Sequence, residues 1–162
     1  MHIMIQLPFA AESSPDFPRI PETVSMAMRN WILTFSRKIP EVEKLNMLFR
    51  QNAGWNSGQQ FLRSTSDNGI DFQFPGLRNN AADAVVAWSV IHNEKEILFA
   101  VNLNPEKEAV AYVTIDVALH AVDSRMRNRY ASATCPAELN VEVRNGKAIR
   151  LTIPAYGFVI YE

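Results

Sequence analysis

The chain changes its hydrophobic period once. From Glu22 to Lys38, Val24, Met28, Trp31, Ile32 and Phe35 recur at helical spacing. They form one apolar stripe, which predicts an amphipathic helix. Pro21 suits its first turn, and Arg37 and Lys38 suit the negative C-terminal end. A second helix is predicted over Glu41–Asn52, opened by Pro40, with Val42, Leu45, Leu48 and Phe49 on one face. The two are expected to pack as a hairpin or to lie together on a sheet edge. Ahead of them Pro8, Pro15, Pro18 and Pro21 remove backbone donors and disfavour helix, so residues 1–21 read as a disordered or extended leader.

Beyond Gly54 the period falls to two. Strands are predicted over Gln59–Ser64, Ile70–Phe74, Ala84–His92, Glu96–Asn102, Ala109–Val117 and Arg127–Ser132. The loop after Phe74 takes in Pro75-Gly76 and Asn79-Asn80. Ala84–His92 is apolar on both faces, as a strand covered on both sides would be. With Glu96–Asn102 it reads as a hairpin across the polar turn Asn93-Glu94-Lys95.

The last hairpin allows a register argument. Leu139, Val141 and Val143 share one face, and Ile149, Leu151 and Ile153 share another. A two-residue Asn145-Gly146 turn would put these sets on opposite sides of the sheet. A three-residue loop, Arg144-Asn145-Gly146, opposes Val141 to Ile149 and Leu139 to Leu151. It also places Gly146 at a left-handed position, where a Cβ is costly. The three-residue loop is therefore expected. Seven or eight strands with no helices between them predict a mainly β fold. The architecture is an antiparallel, Greek-key-like β-sandwich over residues 53–162, preceded by a two-helix segment over 22–52.

Charge and composition narrow the partners. The net charge is -1 and there is no basic run, so nucleic acid is not expected. No apolar stretch approaches the roughly 20 residues needed to span a bilayer, so no membrane is expected either. The N-terminus lacks the basic region of a signal peptide, which points to a cytoplasmic chain. The single cysteine, Cys135, makes no internal disulfide and no metal cluster.

Candidate chemistry is sparse. His2, His92 and His120 show no metal-ligand spacing, and there is no phosphate loop and no Cys-x-x-Cys, so neither metal nor cofactor is expected. Ser89, His92 and Asp116 could be assembled on paper into a nucleophilic trio, as in any chain of this size. The acidic residues sit in turns (Asp67, Asp123) or in first helical turns (Glu22, Glu41), with Asp116 ending a strand. None forms the carboxylate pair that glycoside hydrolysis needs. No catalytic residue is assigned, and the chain is not expected to be an enzyme on its own. Trp88 and Trp31 lie on apolar stripes and read as core. Trp55, in Ala53-Gly54-Trp55-Asn56-Ser57-Gly58, lies in a polar Gly-rich stretch and is the candidate carbohydrate contact.

Four stretches carry a resemblance. They are Val85–Ser89, Glu96–Pro105, Ala111–Asp116 and Val141–Tyr161. In this order and spacing they resemble the C-terminal β-domain of the α-amylase family of glycoside hydrolases. There, a hairpin after the barrel's last helix ends in a strand closing with Asn, as Asn102 does, and the chain closes with a Pro-x-x-Gly turn and a short apolar strand, as Pro154–Tyr161 does. The helix Glu41–Asn52 is similar to the barrel's final helix. The resemblance covers about residues 40–162 and implies a role beside a catalytic barrel in α-glucan metabolism. The barrel itself needs about 250 residues and no segment here matches its strands, so no catalytic residue carries over. The resemblance implies a non-catalytic domain docked on a barrel, or self-associating through an apolar patch. The alternative is a freestanding α-glucan-binding module.

Overall fold

The computed structural model describes residue 5 and residues 20–76 and 84–162. Apart from Ile5, Ile20 and Pro21, the leader predicted for residues 1–21 lies outside the described residues, as does Asn79-Asn80. Three helices open the described chain: α1 (Glu22–Phe35), α2 (Ile39–Gln51) and the short α3 (Gly54–Ser57). Nine strands follow: β1 (Gln59–Arg63), β2 (Thr65–Ser66), β3 (Val85–His92), β4 (Lys95–Asn102), β5 (Ala109–Ile115), β6 (Arg125–Ala131), β7 (Glu138–Asn140), β8 (Lys147–Ile153) and β9 (Phe158–Tyr161). They make two antiparallel sheets, a six-stranded one in the order β1-β3-β4-β9-β6-β7 and a three-stranded one in the order β2-β5-β8.

The large sheet lies between two cores. On one face Val86, Trp88, Phe99, Phe158 and Ile160 pack with Val24, Met28, Trp31, Phe35, Val42, Leu45 and Phe49 of α1 and α2. On the other, Val85, Ala87, Leu98, Ala100 and Val159 pack with Ala111, Val113, Ile149 and Leu151 of the small sheet. The two-sided hydrophobicity of β3 and β4 has this cause: each alternates between a helical core and an inter-sheet core. The helices therefore cover a sheet face. Their predicted place on an edge is corrected, because the stripe from Val24 to Phe35 meets a broad aromatic surface. Trp31 stacks on Phe35 at 5.0 Å, and Trp88 on Phe99 at 5.5 Å.

Several boundaries shift. α1 stops at Phe35, three residues before the predicted end, because the chain turns through Ser36–Lys38 into α2, which takes Pro40 into its first turn. Ile70–Phe74 is not a strand. Only Gln73 bridges to Thr65, and Ile70 is 77% exposed. The Asn68 side chain explains this, since its Oδ1 accepts from the backbone N–H of Ile70 and Asp71 and curls the segment into a turn. The β3–β4 hairpin uses a two-residue turn with Asn93 and Glu94 at positive φ, and His92 opposes Lys95.

The last hairpin has the register of the three-residue loop. Glu142 opposes Ala148, and Gly146 sits at φ +89°. The pairing does not continue, and Leu139 does not oppose Leu151. Leu139 belongs to β7, which pairs with β6, and there it opposes Met126; only at Glu142 does this segment meet β8.

Candidate functional site

The densest polar arrangement lies where β1, β3, β4 and the β5–β6 connection meet. Glu96, the second residue of β4, is in phase with Leu98 and Ala100, so its side chain enters the sandwich and is fully buried. Arg63 of β1 donates from Nη2 to Glu96 Oε1 at 2.9 Å and from Nε to Ser89 Oγ at 2.9 Å. The Ser89 hydroxyl donates to the same Oε1. On the other oxygen, His120 Nε2 lies at 2.7 Å and the Asp116 backbone N–H donates at 2.9 Å. Asp116 turns the chain there by accepting the N–H groups of Ala118 and Leu119 at Oδ1. Lys147 Nζ holds the carbonyls of Val117 and His120.

Burial alone would push the Glu96 carboxyl up. The His120 hydrogen bond, the Arg63 charge, the Ser89 hydroxyl and the Asp116 N–H together outweigh it and hold the group below its ordinary value. All four acceptor positions of the carboxylate are filled. It has no lone pair left to take a substrate proton, and Ser89 is fully buried. The node works as a clasp joining a sheet to a loop.

The paper trio is not assembled. Ser89 and the Asp116 backbone reach Glu96, whereas His92 ends β3 beside α3, its ring within 2.6 Å of where a Cβ on Gly54 would stand. His2 lies outside the described residues. Cys135 is free, with Sγ 3.7 Å from the Thr152 carbonyl. Burial, then the Glu108 charge, raise its thiol pKa, which keeps thiolate scarce. Among the described residues no group of three His, Cys, Asp or Glu could hold a metal ion. Among them, too, no helix is long and apolar enough to cross a membrane.

Trp55 is not on a polar loop surface. It belongs to α3 and is only 4% exposed, edge-on to Phe49 and Phe99 at 5.3 and 6.0 Å. The Arg129 guanidinium covers its ring at 5.2 Å, itself paired with Glu162. A ring enclosed in this way offers no open face to a sugar. The one-turn helix, hidden in a Gly-rich stretch, is what turned it inward.

A second junction joins two of the stretches that carry the sequence resemblance. Asn102, at the end of β4, is fully buried. Its Nδ2 donates to the carbonyls of Lys107, Ile153 and Pro154 at 2.8, 3.2 and 3.1 Å, and its Oδ1 accepts the Asn104 N–H. Its backbone N–H donates to Gly157. The turn so held places Tyr156 at φ +54° and brings Gly157 so close to the Pro154 carbonyl that a Cβ would lie 2.8 Å away. Trp31 of α1 donates from Nε1 to the Tyr156 carbonyl at 3.0 Å. Asn102 and Glu96 were both legible in part: each is a polar residue in phase with strand positions that face the core.

Fold and clasp define the class: a β-sandwich with a helical layer, held together by buried polar junctions. No protein-family model matches this sequence, and no curated protein matches it. Solved structures do. An α-amylase from H. orenii is similar at a TM-score of 0.47 and 14% identity, over 76% of this chain and 20% of that one. A debranching enzyme from Nostoc punctiforme is similar at a TM-score of 0.48 and 15% identity, over 74% and 20%. A maltogenic α-amylase, AmyB, from Thermotoga neapolitana is similar at a TM-score of 0.46 and 11% identity, over 75% and 24%. The chain spans about a fifth to a quarter of the length of these enzymes.

Proposed function

We propose that this chain is a non-catalytic β-sandwich domain that supports or docks on a catalytic barrel of the α-amylase type, in starch or α-glucan metabolism. The observation that carries the reading is the Asn102 junction. The strand ending in Asn and the closing Pro-x-x-Gly turn are two of the stretches on which the sequence resemblance rests. They are about 50 residues apart and are bonded to each other through one buried amide. The saturated state of Glu96 fits the same reading, because this buried carboxylate serves to hold the fold. The two helices belong to the supporting role: they cover a sheet face rich in aromatic rings that would otherwise need a partner.

Reading the genomic frame upstream of the Met1 codon tests the proposal. An in-frame barrel with Asp and Glu at the C-terminal ends of its strands is the expected result. An unrelated coding sequence would remove its basis. Native electrophoresis through soluble starch and glycogen separates it from the binding-module reading: the supporting domain migrates unretarded. Retardation would make glucan binding the function, through a surface other than the buried Trp55.

A further inference from the structure

The sequence holds two Asn-Gly pairs, Asn68-Gly69 and Asn145-Gly146. Such pairs are chemically labile. A glycine amide that has lost its proton is a nucleophile aimed at the preceding asparagine Cγ, and glycine carries no Cβ to obstruct it. In a folded chain the reaction depends on whether the two groups are free to meet. The two pairs differ sharply in this respect.

At the first pair both reactants are occupied. Asn68 Oδ1 accepts from the Ser66 hydroxyl and from the N–H groups of Ile70 and Asp71, at 3.0, 2.8 and 2.9 Å. Its Nδ2 donates to Asp71 Oδ2 at 2.8 Å. The Gly69 N–H donates to Ser66 Oγ at 2.9 Å, and both Ser66 and Gly69 are buried. The Arg144 guanidinium covers Gly69 so closely that a Cβ there would lie 2.7 Å from Nη1. Attack at Asn68 therefore requires that the whole turn open first.

The second pair has none of these restraints. Asn145 and Gly146 are both exposed, beyond the last rung of the hairpin at Glu142 and Ala148. Among the described residues neither the Asn145 side chain nor the Gly146 N–H has a hydrogen-bond partner. A Cβ on Gly146 would meet only the methyl groups of Val117, at 3.4 and 3.9 Å. Asn145 lies at φ +44°, a left-handed conformation that costs a residue with a Cβ some energy. Little therefore keeps its ψ from rotating and bringing the Gly146 nitrogen to Cγ.

We propose that Asn145 is the site at which the folded protein deamidates, and that Asn68 is protected by its turn. Hydroxide takes the Gly146 amide proton, and the nitrogen bonds to Asn145 Cγ. The Cγ–Nδ2 bond breaks, ammonia leaves with a proton from water, and a five-membered succinimide remains. A second water opens the ring. Cleavage of the new Cγ–N bond gives aspartate. Cleavage of the original C–N bond gives isoaspartate, with the chain rerouted through Cβ and Cγ. The net exchange is one water in and one ammonia out. Either product sets a carboxylate beside Arg144, which otherwise bonds Glu142 and the Gly69 carbonyl at 3.3 and 3.4 Å and stacks on Tyr112 at 4.5 Å. Isoaspartate also lengthens the main chain in the loop that fixes the hairpin register. The site stands whether or not the domain docks on a barrel.

The test ages the full chain at mildly alkaline pH and body temperature, folded and in guanidinium chloride. Peptide mapping by mass reads amide loss at each asparagine. Isoaspartate is read by methyl transfer from S-adenosylmethionine with an isoaspartyl methyltransferase. In the folded chain Asn145 is expected to convert about tenfold faster than Asn68 or more, whereas in guanidinium the two rates should agree within about threefold. Ser66→Ala frees the Gly69 N–H and is expected to speed Asn68 about tenfold while leaving Asn145 unchanged. Gly146→Ala sets a Cβ on the attacking residue and is expected to slow Asn145 about tenfold. Should that variant not fold, the ratio of the two wild-type rates decides alone. Equal rates in the folded chain, or a faster Asn68, would overturn the proposal. So would an Asn145 that reacts in guanidinium and stays intact when folded. An Asn68 rate unmoved by Ser66→Ala would overturn the protection assigned to the turn, and aspartate without isoaspartate would overturn the cyclic route.

Discussion

Glu96 receives donors from three separate stretches of chain: β1, β3 and the β5–β6 connection. Removing one member of a buried ion pair strands the others, so Glu96→Ala should cost about 3–5 kcal/mol in urea unfolding at neutral pH. The folded carboxyl has a lower pKa than the unfolded one. Its contribution is therefore complete above the ordinary carboxylate range and is lost as pH falls through the folded value. The urea midpoint of the wild type should drop over that acid window, and Glu96→Gln should show a smaller drop. Equal acid slopes would mean that Glu96 does not govern them. The two core tryptophans make a sharper contrast. Trp31 Nε1 donates to Tyr156, whereas Trp88 Nε1 is buried with no partner. Trp31→Phe should cost about 2–3 kcal/mol through a lost bond and a cavity. Trp88→Phe should fall within about 1 kcal/mol of the wild type, since relief of an orphaned donor offsets the lost volume. Chemical denaturation of the pair would reverse the argument if Trp88→Phe proved the costlier.

At the scale of elements, Asn102 replaces part of the sheet ladder. Its amide bonds three carbonyls that the β4–β5 loop, the end of β8 and the closing turn leave over. Asn102→Ala should therefore destabilise by about 2–4 kcal/mol, and the Gly157 N–H, held in the same turn, should exchange faster. Wild-type exchange at Gly157 in that variant would show that the turn stands without Asn102. The hairpins show what pattern alone conveys. Gly146 and the phase of Val141 and Ile149 gave the register of the last turn, because only the three-residue loop puts both apolar sets on one face. Ile70–Phe74 alternates just as well, yet it is a turn, because the Asn68 side chain supplies bonds that a neighbouring strand would have supplied. A local cap competes with a ladder, and periodicity registers only the ladder.

For the whole molecule, helices and large sheet share one core, in which α1, α2, β3, β4 and β9 all take part. Helical ellipticity and tryptophan fluorescence should therefore fall together in urea, as one transition. A separate early loss of ellipticity would instead make residues 22–52 a unit of their own.

The sequence by itself determined the class of fold, both long helices, most strands and the last hairpin's register. Each of these follows from the spacing of apolar side chains and from turn chemistry, which act over a few residues. It also suggested where a resemblance lay, at Asn102 and at the Pro154–Gly157 turn. Only the tertiary structure decided that those two places are bonded to each other. It alone put Trp55 in the core, made Glu96 the centre of a clasp, and paired β7 with β6 in place of β8. These outcomes depend on partners that are tens of residues away. Burial, charge pairing and the choice of sheet arise only when such distant stretches meet, and no periodicity along the chain records that meeting.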